Sequence, residues 1–226
     1  MLIREWMTKV VVTVTPETSM MKASKIMKEK GVRRLPVLDS SNRVVGIVSD
    51  RDIKEASPSK ATTLDMHELY YLLSEVKVKN IMTPDPVVVR ADQTVETVAL
   101  LLVERHIGGV PVVDDDNKII GIISDSDLFK IMIEITGVRN GGVQFTFAVE
   151  EGHGRLKPII DLLSEMKASI DTILTSATDK ADGSRHVHLR IMPMDRAEEN
   201  RIIEAVTAKF PSLLYWARKQ VHAVSK

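Results

Sequence analysis

Two acidic turns of the same form carry the chemistry most worth testing in this chain. Gly46-Ile47-Val48-Ser49-Asp50-Arg51-Asp52 and Gly121-Ile122-Ile123-Ser124-Asp125-Ser126-Asp127 both read Gly-h-h-Ser-x-x-Asp, where h is aliphatic. Each is a strand running into a helix, and a helix start offers unpaired N–H groups and positive dipole character to a phosphate. Asp52 and Asp127 stand beside that opening, where a carboxylate with two acceptor oxygens suits the vicinal diol of a ribose. The spacing equally fits a capping box, Ser49 with Asp52 and Ser124 with Asp127, and a duplicated cap would recur as a duplicated site would.

Arg33 and Arg34 precede Leu35-Pro36 in a loop expected at the same strand edge. They form either a bidentate phosphate clamp or a solvated charge pair. The second copy has Gly108-Gly109 there, after Arg105 and His106, and should hold phosphate less strongly. His67, His106, His153 and His222 are scattered, and His186 with His188 share a strand face without a nearby third ligand, so no metal is expected. No nucleophile–base arrangement or Walker-type loop is present, so the chain reads as a non-enzyme with no catalytic cofactor.

These turns must be positioned by ordinary globular elements. A chain of 226 residues suggests two cores. Lys plus Arg, 31, balances Asp plus Glu, 31, so no long-range field draws it to nucleic acid or anionic lipid, and neither is expected as a partner. Cysteine is absent, which removes disulfides, thiolate metal sites and cysteine nucleophiles and fits a reducing cytoplasm. Residues 1–6 lack the features of a secretion signal and the apolar stretch 98–103 is too short to span a bilayer, so a soluble cytoplasmic protein is expected.

Self-similarity organises the first half. Segments opening at Met7-Thr8 and Met82-Thr83 align without a gap at an offset of 75, pairing Glu29 with Glu104, Pro36 with Pro111, Asp39 with Asp114 and Asn42 with Asn117. Each copy predicts a β-branched strand (10–14, 87–89), a helix capped by Thr18 or Ser19 and by Thr94, a hairpin with Pro at a strand start or edge, and a second helix. We divide the chain into repeat 1 at 1–56, a linker with an inserted helix at 57–76 bearing Met66, Leu69, Leu73 and Val76, repeat 2 at 77–136, a Gly-rich hinge at 137–142, and a second domain at 143–220. That domain alternates Phe145, Phe147 and Val149 inward, has a loop at Glu151-Gly152-His153-Gly154, a turn at Asp182-Gly183, and an acidic capping box at Asp195 and Glu198. Its order β-α-β-β-α-β is the split-βαβ, ferredoxin-like plan.

The Met-Thr openings, the segments 32–37 and 107–112 and the two Gly-h-h-Ser-x-x-Asp turns resemble the CBS domain, whose tandem pairs form Bateman modules. The fold class implied is α+β, two β-α-β-β-α repeats followed by a ferredoxin-like βαββαβ domain that resembles the ACT type. The whole is similar to the acetoin-utilisation (AcuB) group of CBS-pair proteins. Such pairs commonly bind AMP, ADP, ATP or S-adenosylmethionine as regulatory ligands. The resemblance implies that Asp52 and Asp127 hold ribose, with Ser49 and Ser124 near sugar or phosphate and Arg33 and Arg34 on phosphate. It implies that Thr8, Val14, Leu35, Pro36, Thr83, Val89, Ile107, Gly109 and Pro111 line the adenine slots. It further implies an amino-acid effector at Glu151, Gly152, His153 and Gly154, a homodimer and a regulated enzyme. A ligand-free dimerisation scaffold is the alternative.

Overall fold

A β-branched run makes a strand only if a neighbour can complete its ladder, and in the first repeat the neighbour is interrupted by a proline. In the computed structural model, which describes residues 1–57, 75–150, 152–177, 184–218 and 221–223, residues 10–14 form no strand. Val14 alone bridges Val37 in parallel, exchanging bonds with the Pro36 carbonyl (3.1 Å) and the Leu38 N–H (2.9 Å). Pro36 has no N–H to extend the ladder. It sits mid-strand in β1 (Arg34–Leu38), an edge strand as expected, which is antiparallel to β2 (Val44–Ser49).

The chain divides into two units, Met1–Phe129 and Lys130–Lys226. Within the first, the helix Met20–Lys30 is capped by Ser19, whose side chain accepts the Lys22 N–H, and stops at Gly31 in the left-handed region. Met20, Ala23 and Met27 pack on Leu35, Val37 and Val48. The short helix Asp50–Ala56 follows β2 directly. β3 (Thr83–Pro84), β4 (Val89–Arg90), β5 (Gly109–Val113) and β6 (Ile119–Ser124), with the helices Val95–Glu104 and Asp125–Ile135, repeat the plan. Asn42 (φ 61°) and Asn117 (φ 60°) recur because each hairpin turn needs a left-handed residue that asparagine tolerates. The two turns then meet, Val44 N–H on the Asn117 carbonyl (3.2 Å) and Ile119 N–H on that of Asn42 (3.3 Å).

The repeats exchange their openings. β3, from the second repeat, pairs with β2 of the first, while Thr8 bridges Ile122 of β6. Met82 lies against Gly46 and Met7 against Gly121, leaving no room for a side chain at either glycine. Ile3 is fully buried beside residues 93–95, and Val78, its counterpart, beside Pro16 and Thr18. Each repeat is thus completed by the segment that precedes the other. Of the inserted-helix residues, Met66, Leu69 and Leu73 lie outside the described residues, and Val76 is not helical but packs against the first-repeat core.

The second unit carries β7 (Gln144–Glu150), helix Lys157–Glu165, β8 (Ile170–Ala177), β9 (Ser184–Ile191), helix Arg196–Lys209, β10 (Leu213–Ala217) and β11 (Val221–Ala223). All neighbours are antiparallel in the order β11-β10-β7-β9-β8, so the first six elements follow the expected β-α-β-β-α-β order and β11 is an addition that three residues did not signal. Phe145 and Phe147 meet Ile159 and Leu163 of one helix and Ile202 and Val206 of the other, so both helices cover one face. Asp195 accepts the Ala197 N–H, but Glu198 stays exposed and returns no cap. It is Glu199 that turns inward, to Arg218 Nε at 2.7 Å, because position 199 lies on the inward side of the helix with Ile202 and Ile203. The turn at Asp182-Gly183 lies outside the described residues. No helix among the described residues is long and apolar enough to cross a membrane.

On the sheet, His188 exchanges a hydrogen bond with Thr146 Oγ1 through Nδ1 (3.0 Å), and burial, reinforced by His186, pushes its pKa below the ordinary value. A depressed imidazole favours folding above the unfolded pKa of about 6.5 and loses that contribution as pH falls toward its folded value. Unfolding by urea at pH 7.5, 6.5 and 5.5 should therefore show stability falling with pH, and H188N should flatten the slope. Parallel slopes in the two proteins would remove His188 as the cause.

Candidate functional site

The second sequence copy cannot simply duplicate the first, because the two acidic turns face different neighbours. β2 delivers Ser49 and Asp52 to a cleft of ≈ 580 Å³ in the first unit. Its wall also includes Arg34, Ile47, Asp50, Arg51, Thr83, His106, Ile107, Gly108, Gly109 and Asp125. The cleft is therefore built by both repeats, with Thr83 present because of the exchanged opening.

Ser49 donates to Asp52 Oδ2 from its N–H (2.7 Å) and its hydroxyl (2.8 Å), and its Oγ accepts the Asp52 N–H at 3.3 Å. The capping box is real, and it occupies only one carboxylate oxygen. Among the described residues Oδ1 takes no hydrogen bond, so the cap fixes the carboxylate and leaves one acceptor toward the cleft it lines. In the second copy Ser124 likewise donates to Asp127 Oδ2, at 3.1 and 2.8 Å, but neither residue is on this cleft wall.

Arg33 is exposed and Arg34 half-buried, and both are ion-paired. They reach across to the second repeat, Arg33 Nη2 to Asp125 Oδ1 at 3.5 Å and to Ser126 Oγ at 3.1 Å, and Arg34 Nη2 to Asp125 Oδ2 at 4.0 Å. The Arg34 guanidinium lies in the space a side chain at Gly108 would fill. Gly108 corresponds to Arg33, so the loss of arginine from the second copy makes room for those of the first. Asp50, the counterpart of Asp125, bonds Lys54 at 2.9 Å. That ammonium, with Arg33 and Arg34 nearby, holds Asp50 below the ordinary carboxylate value.

Restoring the first-copy pattern with Gly108→Arg should displace Arg34 from Asp125 and bring like charges together. We expect a loss of about 1–2 kcal/mol. Thermal unfolding reads it, and an unchanged melting temperature would mean Arg34 swings aside freely.

Of the other residues singled out, Thr8 sits at Ile122, away from this wall. Val14, Leu35 and Val89 are core residues, and Pro36 and Pro111 are buried in their strands. In the second unit Gly152, His153 and Gly154 line a separate cleft of ≈ 650 Å³ with Arg155, Lys157, Thr175 and Arg185. Glu151 lies outside the described residues. No group able to hold a metal occurs among the described residues. The exchange of openings and the reach of Arg33 and Arg34 were missed from the sequence; the glycines facing arginines at matched repeat positions were the available signal.

The CBS domain family matches residues 3–59 and 78–134, together half of the chain. A CBS domain-containing protein of Dictyostelium discoideum is 30% identical over 134 residues, which cover 59% of this chain and 92% of that one. In other curated relatives, several of them enzymes, the matched stretch is between 22% and 58% of their length. Among solved structures, CBSX2 of Arabidopsis thaliana in complex with AMP is 32% identical, with a TM-score of 0.51 over 59% of this chain and 97% of that one. An AcuB-like protein of Vibrio cholerae is 25% identical, with a TM-score of 0.51 over 62% and 95%.

Proposed function

The chain belongs to the CBS-domain family, and from that premise we propose that it is a regulatory sensor, not an enzyme, binding an adenosyl ligand between its two repeats. The observation that carries this reading is Asp52. It is held by Ser49 through one oxygen and keeps the other for a diol, in a cleft walled by both repeats. The AMP bound by the Arabidopsis relative supports an adenosyl ligand. A ligand touching both repeats would shift their arrangement by its differential affinity.

Calorimetry of ligand-free protein with AMP, ATP and S-adenosylmethionine tests it. At a hundred times its dissociation constant a true ligand stabilises the fold by about 2.7 kcal/mol, which thermal shift would register. No heat with any of the three, and nothing adenosyl co-purifying by mass spectrometry, would overturn the reading.

The β-α-β-β-α-β order and the Gly152-His153-Gly154 cleft support an ACT-type second domain with an amino-acid effector. The enzymes among the relatives, of which the match covers about a quarter or less, support an enzyme as the regulated partner. One observation favours a homodimer, alone or as a scaffold. Leu100 (58% exposed) and Val103 (71%) lie on the helix Val95–Glu104 where the first copy places Lys25 and Lys28. Sedimentation with and without nucleotide separates a scaffold from a sensor.

A further inference from the structure

We propose that Asp125 sets the ligand class of the cleft, admitting adenosyl ligands whose 5′ substituent is neutral or cationic and disfavouring those with a phosphate chain. The proposal rests on the adenosyl-sensor reading and goes further by naming the charge that the ligand must carry.

Three carboxylates, Asp50, Asp52 and Asp125, line the cleft with two guanidiniums, Arg34 and Arg51, while Lys54 pairs with Asp50 and Arg33 with Asp125. The arginines that the sequence offers to a phosphate are already turned to Asp125, through both of its oxygens. Asp125 is itself immobilised. Its N–H is bonded to the Gly108 carbonyl at 3.1 Å, and its Oδ1 accepts the Ser126 N–H at 2.7 Å. A fixed carboxylate that occupies the clamp does two things to an entering polyphosphate. It must be displaced from its cations before they can serve the ligand, and it repels the added negative charge at short range. An adenosine with a thioether or sulfonium at the 5′ position meets neither cost, because it leaves Asp125 on its arginines. One phosphate is a smaller burden than three, so AMP should fall between.

Calorimetry would compare S-adenosylmethionine, adenosine, AMP and ATP on the full chain and on D125N. That variant keeps the size of the side chain and removes its charge. In the parent protein S-adenosylmethionine should bind at least tenfold tighter than ATP. In D125N the ratio should shrink by tenfold or more, mostly through tighter ATP binding, as Arg33 and Arg34 become available. A fall in affinity for all four ligands in D52N would locate their binding in this cleft, and unchanged affinities in D52N would place it elsewhere and overturn the proposal. ATP binding as tightly as S-adenosylmethionine in the parent protein, or an unchanged ratio in D125N, would overturn it while leaving the sensor reading intact. Failure of all four to bind would remove the sensor reading and the proposal with it. Should D125N unfold, the parent protein's preference at 50 and 500 mM salt gives the same answer, since screening must narrow a ratio that charge creates.

Discussion

Asp52→Ala is expected to weaken adenosyl binding at the first cleft by ten- to a hundredfold. A hydrogen bond to a charged acceptor contributes about 1.5–3 kcal/mol, and each 1.4 kcal/mol is about tenfold in affinity. The substitution also breaks a cap, because Oδ2 accepts both the N–H and the hydroxyl of Ser49, at a cost of about 1 kcal/mol in stability. Two further variants separate the effects. S49A removes one of the bonds that hold the carboxylate but leaves the diol acceptor, so stability should fall with binding reduced only a fewfold. D52N keeps an oxygen for Ser49 and puts an amide in place of the second acceptor, so binding should fall with stability nearly intact. Calorimetry and urea unfolding on all three would settle it. Equal losses of affinity in S49A and D52N would mean that Asp52 serves the helix and not the ligand.

What could be seen in the sequence is what chain-local patterns encode. The caps at Ser19, Ser49 and Thr94, the left-handed asparagines of the two turns and the inward Phe145 and Phe147 depend on neighbours a few residues away. The helix Arg196–Lys209 shows the limit of that logic. A three-residue spacing suggests Glu198 as the capping partner, whereas burial selects Glu199 for Arg218. Long-range facts left weaker traces. The exchange of Met7 and Met82 onto the glycines of the opposite repeat joins residues more than a hundred apart in one case, and nothing in local propensity distinguishes it from each repeat closing on itself. The cleft inherits that uncertainty. Arg34, Ser49, Asp52, Thr83, Ile107 and Gly109 come to one wall, while Val14, Leu35 and Val89 go to the core, because an aliphatic residue on a short strand serves a slot or a core with the same side chain.

The largest stability effect is expected at Arg190, which is 5% exposed. Its guanidinium donates from Nε to the Thr136 carbonyl (2.9 Å), from Nη1 to that of Gly141 (3.0 Å) and from Nη2 to Gln144 Oε1 (2.8 Å). Burial pushes its pKa down and Asp171 opposes this, and the guanidinium stays charged. The glycines at 137, 141 and 142 suggest freedom, yet each holds a positive φ within a turn that these bonds fasten to β9, and Asn140 adds a bond to Asp171 at 3.2 Å. Arg190→Met fills the space but leaves two backbone carbonyls and an amide without donors. Each buried unmet acceptor costs about 1–3 kcal/mol, so a loss of about 3–4 kcal/mol is expected, after relaxation admits some water. For a unit of this size that is about 10–20 °C in the melting temperature of its transition. Arg190→Lys should recover less than half, because a single ammonium cannot span three acceptors. Hydrogen exchange adds a local reading. Protection of the amides of 137–142 should fall in both variants before that of the Phe145 and Phe147 amides, and loss of protection in the reverse order would show that Arg190 supports the sheet and not the segment leading into it.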